Sequence, residues 1–164
     1  MELIAVLENP NYIINIGHVI RNVNGLGLDR LYVVDQLRRL DDDPDALRNR
    51  KTLLKHSSGA VQFTSVRRFD STQQCLQVLA AEGFVSVGTT PHVNEKTCLL
   101  HESNLTAPKL ALWFGDEAGG LTDEALAHCQ FNVVVDMRGQ VESLNLATST
   151  GIVFYEALRQ RRQK

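Results

Sequence analysis

The feature that most limits what this chain can fold into is a repeated alternation. Short apolar runs of strand length alternate with stretches whose apolar residues recur at helical spacing. Glu2–Leu7 (E-L-I-A-V-L), Arg30–Asp35, Phe84–Thr89, Lys109–Phe114 and Asn132–Val135 read as strands. Between and after them, Asn15–Leu26, Ser71–Ala81, Thr122–His128 and Leu144–Arg162 read as helices. In the first of these, Ile16, Val19, Ile20, Val23 and Leu26 form an apolar stripe that leaves Arg21 on another side. Strand runs too apolar to have a wet face, each followed by a helix, predict an α/β fold: a parallel sheet flanked by helices on both faces. Gly59–Val66 (with V-Q-F-T-S-V) reads as a further strand, and Asn94–Asn104 as a loop. At 164 residues the expectation is a single domain, 1–164.

Helix boundaries carry local signals. Asn15 is placed as an N-cap, Gly25 and Gly27 as the stop, and Thr122 as the cap of a helix with Asp123 and Glu124 in its first turn. Asn15 and Ser143 are also good caps with no further role, and Arg21 alone is an ordinary surface cation. Cys75 fits as core packing.

Composition narrows the function. The net charge of −2 does not announce a nucleic-acid binder, although it averages over faces and leaves room for a local basic patch. Basic residues gather in Gln36–Ser58 (Arg38, Arg39, Arg48, Arg50, Lys51, Lys55), at Arg67-Arg68, and at the end (Arg159, Arg161, Arg162, Lys164). The first group reads either as a solvated irregular region with a short helix or as a lip for phosphates. Cys75, Cys98 and Cys129 are far apart and form no C-x-x-C pair, which predicts reduced thiols in a cytoplasmic protein. The five histidines lack ligand spacing, so no metal is expected. There is no leader-like start and no apolar run of about 18 residues, so no membrane span is expected.

Three loops are candidates for ligand binding: Asn9–Arg21, Thr89 with Gly115–Leu121, and Val135–Asn145. Gly25-x-Gly27 precedes a strand and lacks the third glycine of a dinucleotide fingerprint. Gly115–Thr122 has nearly the spacing of a P-loop, but it has no lysine, and Asp116 and Glu117 would repel phosphate. The second and third loops suit a neutral or zwitterionic ligand such as an adenosine. The first offers a helix start and an arginine, which suit a phosphate.

At these residues the chain resembles the SpoU/TrmH family of RNA ribose 2′-O-methyltransferases, within the SPOUT superfamily. Three ordered motifs carry the resemblance: Asn15, Gly17 and Arg21 followed by Gly27; Gly115, Glu117, Gly120 and Leu121; and Met137, Gly139, Val141, Ser143, Leu144 and Asn145. Asp136 stands where the family pattern usually has proline. The resemblance implies a C-terminal trefoil knot, a homodimer, an RNA substrate (tRNA ahead of rRNA) and S-adenosyl-L-methionine as methyl donor. It places the donor on Thr89, Gly115, Val135, Met137, Ser143 and Leu144. It makes Asn15, Arg21, Glu117, Ser143 and Asn145 the catalytic set, with the arginine supplied by the partner subunit. Asp136, and a chain with no flanking RNA-binding segments, leave a rival expectation: a knotted RNA-binding scaffold that has lost methyl transfer.

Overall fold

The computed structural model describes residues 1–162; Lys164, part of the basic C-terminal cluster, lies outside the described residues. The strands are β1 (Glu2–Glu8), β2 (Arg30–Val34), β3 (Val66–Phe69), β4 (Val85–Thr89), β5 (Thr97–Leu99), β6 (Lys109–Phe114) and β7 (Phe131–Val134). The helices are α1 (Ile13–Leu26), α2 (Pro44–Asn49), α3 (Lys51–His56), α4 (Thr72–Ala81), α5 (Asp123–His128) and α6 (Leu146–Arg162). The strands form one sheet in the order β3-β2-β1-β6-β4-β7-β5, and every pairing is parallel. The expected parallel α/β sheet is therefore what the chain forms.

The period of two along β1 divides the core into two layers. Leu3, Ala5 and Leu7 point into a layer with Ile16, Val19, Ile20 and Val23 of α1, Leu53 of α3, and Val153 and Phe154 of α6. Ile4 and Val6 point the other way, onto Cys75 and Leu79 of α4 and Ala125 of α5. Phe114 meets Phe154 edge-on, with ring centroids 5.4 Å apart at 90°, tying β6 to α6. Such a pair adds about 0.5–1.5 kcal/mol to the burial of its area. Asn22 joins α1 to α6 by donating to Ala147 O (2.7 Å) and Thr150 Oγ1 (3.0 Å). Arg161 is buried and donates to the carbonyls of Ala107, Pro108 and Glu2, fastening the end of α6 under the sheet.

Four local expectations are corrected. Gly59–Val66 is not a strand. Positive φ at Ser58 (52°) and Gly59 (81°) turns the chain into a single 3₁₀ turn at Ala60–Gln62. Val61 then enters the core, Phe63 is left 80 % exposed, and the strand starts only at Val66. The Asn94–Asn104 loop contains β5, a short edge strand on β7 that an apolar run did not announce. Asn15 is not a cap: α1 begins two residues earlier, after Tyr12, with no side-chain cap. At α6 the helix begins at Leu146, and Asn145 rather than Ser143 takes the capping position, its Oδ1 accepting the Ala147 N–H at 2.9 Å. The Thr122 cap (Oγ1 to Ala125 N, 3.2 Å), the stop at Gly27 (φ 75°) and the buried Cys75 follow the sequence reading, whereas Gly25 is still inside α1 and does not end it. Among the described residues no helix is long and apolar enough to cross a membrane.

Candidate active site

Three strands, β4, β6 and β7, lie side by side and end at the same edge, so the loops that follow them meet. They enclose a cleft of about 630 Å³, within the range of small-molecule sites. Thr89, Gly115, Val135, Met137, Ser143 and Leu144, the whole expected donor set, line it, together with Glu117 and Asn145. Thr89 is held in place by donating its hydroxyl to Trp113 O at 2.9 Å.

The Gly115–Leu121 loop folds back on itself. A Cβ on Gly115 would lie 1.9 Å from the Gly120 carbonyl carbon, so only glycine allows this crossing. Asp116 Oδ1 accepts the N–H groups of Ala118 (2.7 Å) and Gly119 (2.6 Å). The backbone donors that would cradle a phosphate in a P-loop are thus already spent on an internal carboxylate.

Two carboxylates cross between the first and second motif loops. Glu117 accepts the Asn11 N–H at 2.9 Å and the Asn15 side-chain amide at 2.6 Å. Asn15 Oδ1 in turn lies 3.5 Å from Asn145 Nδ2, a long contact. In the opposite direction Glu8, 1 % exposed at the end of β1, accepts the Thr122 N–H and hydroxyl, both at 2.8 Å, and the Thr72 hydroxyl. A buried carboxylate without a cation is costly unless donors surround it, and here three do. Sequence reading missed Glu8: a lone acidic residue closing an otherwise apolar strand, just before Asn9-Pro10, was the available signal.

The structure does not bring Arg21 to this cluster. It stands exposed on α1, does not line the cleft, and has no hydrogen-bond or ion-pair partner among the described residues. Asp136 also differs from its neighbours. Its carboxylate pairs with Arg138 Nε (3.0 Å), and the residue lines a second groove, on α1 and α6; Val135 borders both that groove and the cleft, and Met137 lines the cleft.

Among the described residues the charged lining of the cleft is acidic: Asp116, Glu117, Asp123 and Glu142, with His92 and no lysine or arginine. This suits a ligand with positive charge and no phosphate. S-adenosylmethionine, a nucleoside bearing a sulfonium and an ammonium group, fits that description.

The expected phosphate lip is half neutralised. Arg38 pairs with Asp42 and Asp70, Arg48 with Asp45, Arg50 with Asp41, and Arg68 with Asp42 and Asp70. Arg67 lies over the Phe69 ring at 4.7 Å. At the C-terminus Arg159 pairs with Glu156 and Arg161 is buried. Among the described residues there is no cluster of three or more metal-ligating side chains.

A parallel sheet with strand-end loops closed around an acidic cleft defines a ligand-binding α/β protein of the kind that handles a small cofactor. Residues 2–155 match the SpoU rRNA Methylase family, and the chain belongs to that family. It is similar to the 23S rRNA (guanosine-2′-O-)-methyltransferase RlmB of Pectobacterium atrosepticum, 30% identical over 161 residues, which are 98% of this chain and 61% of the relative. The chain spans less than two-thirds of the length of the first curated relatives it matches. Among solved structures it is similar to the SpoU methyltransferase AviRb of Streptomyces viridochromogenes in complex with the cofactor AdoMet. That match has a TM-score of 0.83 at 26% identity, covering 99% of this chain and 62% of the other. A structure described as giving insight into 2-OH methylation of C/U34 on tRNA matches with a TM-score of 0.83 at 28% identity. It covers 99% of this chain and 98% of that one.

Proposed function

We propose that residues 1–164 act as a single domain that methylates ribose 2′-hydroxyls of RNA, with S-adenosylmethionine as donor. The observation that carries this reading is the meeting of the second and third motif loops at one cleft, with Asn15 of the first motif bonded to Glu117 and close to Asn145 beside it. Thr89, Gly115, Val135, Met137, Ser143 and Leu144 would hold the donor. When bound, it supplies an electrophilic methyl group.

The chain's own residues align the acceptor. Glu117 fixes Asn15, and Asn15 and Asn145 orient the ribose beside Ser143. A guanidinium is a poor base at neutral pH. The role left to Arg21 is to bind the phosphate next to the reacting ribose and polarise the hydroxyl. Arg21 does not line the cleft of its own chain, which fits its acting in the cleft of a second copy.

We place that copy on the groove between α1 and α6, of about 730 Å³ and lined by Asn22, Leu26, Leu100, Ile152 and Tyr155. Tyr155 is 62 % exposed there, an apolar surface that a homodimer would cover. The strand order β6-β4-β7-β5 and the return of α6 onto α1 favour a trefoil knot in which the 135–145 segment threads the loops before it. Free thiols at Cys75, Cys98 and Cys129 favour the cytoplasm.

For substrate we favour tRNA, because the solved structure described with tRNA matches this chain along nearly its whole length. The 30% identity to RlmB supports rRNA as the second reading. Purified protein incubated with labelled S-adenosylmethionine and either total tRNA or ribosomal RNA tests both, with the modified nucleotide then mapped. Label in a ribose of tRNA is the expected result. No binding of S-adenosylmethionine by calorimetry, with no label in any RNA, would replace the methyltransferase reading with an RNA-binding scaffold.

A further inference from the structure

Many cations of this protein are spent on its own carboxylates, but a contiguous set is not. Arg21, Arg39, Lys51 and Lys55 are exposed and have no hydrogen-bond, ion-pair or ring partner for their charged groups among the described residues. Backbone and packing interactions hold these four near one another. The Arg39 carbonyl accepts from the Arg50 guanidinium, and Arg50 immediately precedes Lys51 at the start of α3. Lys51 and Lys55 are four residues apart on α3, hence on one face. The end of α3 lies against α1: His56 Nδ1 is 3.3 Å from His18 Nε2, and a Cβ on Gly17 would be 2.8 Å from His56 Cβ. Arg21 follows one turn further along α1.

The neighbouring carboxylates do not cancel this ridge. Asp41, Asp42 and Asp45 are engaged by Arg50, Arg38, Arg68 and Arg48, and Asp43 caps α2 by accepting the Ala46 N–H at 2.8 Å. Just beyond α3 the 3₁₀ turn, held by Gly59 N to Leu54 O at 2.9 Å, presents Phe63 with 80 % of its surface in water. An exposed aromatic beside a track of cations is the pairing that single-stranded RNA uses, bases on the ring and phosphates on the charges.

We propose that Arg39, Lys51, Lys55 and Phe63 form a track for a single-stranded or looped segment of the substrate RNA, leading it to Arg21. This rests on the RNA reading above and gives it a surface and a strand preference. Duplex RNA stays outside the preference because its stacked bases offer no face to Phe63.

The test is fluorescence anisotropy of a labelled single-stranded RNA and a duplex RNA with the full chain, across a series of salt concentrations. For the single strand, Lys51→Ala/Lys55→Ala should make the slope of log affinity against log salt shallower by about 1.4, at roughly 0.7 for each phosphate no longer neutralised. Phe63→Ala should weaken the single strand about tenfold and leave the duplex unchanged. Arg48→Ala, which removes a paired cation, should leave the slope as it is. Calorimetric binding of S-adenosylmethionine to each variant reports whether the fold is intact. An unchanged slope in the double variant, or an equal change in Arg48→Ala, overturns the track while the RNA reading stands. A wild-type chain that binds neither RNA at any salt overturns both.

Discussion

Glu117 and Asn15, 102 residues apart in the chain, are joined by a 2.6 Å hydrogen bond from the amide Nδ2 to Oε1. The same carboxylate takes the Asn11 N–H, so one acidic side chain fixes the start of α1 against the second motif loop. In the proposed function its role is geometric. A displacement of about 1 Å in a group that aligns reactants can cost on the order of 10²-fold in rate. Glu117→Ala is therefore expected to lower the methyl-transfer rate by about that factor. Donor affinity, measured by calorimetry, should move far less. A variant with wild-type turnover would remove Glu117 from the aligning set.

Arg21 is predicted to be dispensable for the donor and indispensable for the transfer. Arg21→Ala should leave S-adenosylmethionine binding nearly unchanged, because the residue does not line the cleft of its own chain. Transfer to RNA should fall by roughly 10²–10³-fold. If the arginine works in the partner's cleft, mixing Arg21→Ala with a chain disabled at Asn145 should restore part of the activity through mixed dimers. Absence of any recovery under subunit exchange would argue for action within one chain.

Glu8 is expected to matter for stability as well as for the loop. Glu8→Ala leaves the donors of Thr72 and Thr122 without their acceptor, a loss of about 1–3 kcal/mol. Urea unfolding would read it. Glu8→Gln keeps one carbonyl oxygen and gains an amide that rotated threonine hydroxyls can accept, so it should recover part of the loss. Equal stability of the alanine variant and the wild type would show that the buried carboxylate is not holding the loop.

Glu156 gives the protein an acid-sensitive contact. The Arg159 guanidinium, with help from the Gln160 amide, holds its carboxyl down at about 2, against an ordinary 4.5. The folded-state value lies below the unfolded one. Its stabilisation is therefore fully present above about pH 4.5 and is lost as pH falls toward 2. Glu156→Gln should destabilise the protein at pH 7 and cost progressively less as the pH is lowered through that window. Unfolding free energies at pH 7 and pH 3 would settle the sign.

The cysteines should differ in reactivity. Burial pushes the thiols of Cys75 and Cys129 up to about 12, and both are closed off from solvent. Cys98 is partly accessible, its thiol also raised by burial and directed at Asn132 O. A thiol reagent at pH 8 should label one cysteine slowly in the native protein and all three after denaturation. Rapid labelling of Cys75 or Cys129 would contradict the packing of α4 and α5 on the sheet.

The parallel α/β class was legible in the sequence because buried strands such as β1 and β6 are apolar on both faces, and α1 has a clear stripe. The three motif loops could also be named, but only because together and in order they resemble those of a known family; singly, each residue has an ordinary structural use. Local pattern failed where two structures satisfy it equally. V-Q-F-T-S-V alternates like a strand, yet left-handed backbone at Ser58 and Gly59 sends it into a turn. β5 has no apolar run, because an edge strand buries little.

Tertiary structure alone decided how these residues are used. Asn15 could serve as a cap by sequence; Glu117, brought in from 102 residues away, makes it a partner instead. Asp136 could have charged the donor cleft; instead it pairs with Arg138 and lines the other groove. The basic cluster could have been one phosphate lip; pairing with Asp41, Asp42, Asp45 and Asp70 reduces it to a narrow set of free cations. In each case the sequence specifies a side chain's chemistry, while its partner depends on long-range packing, which no local pattern encodes.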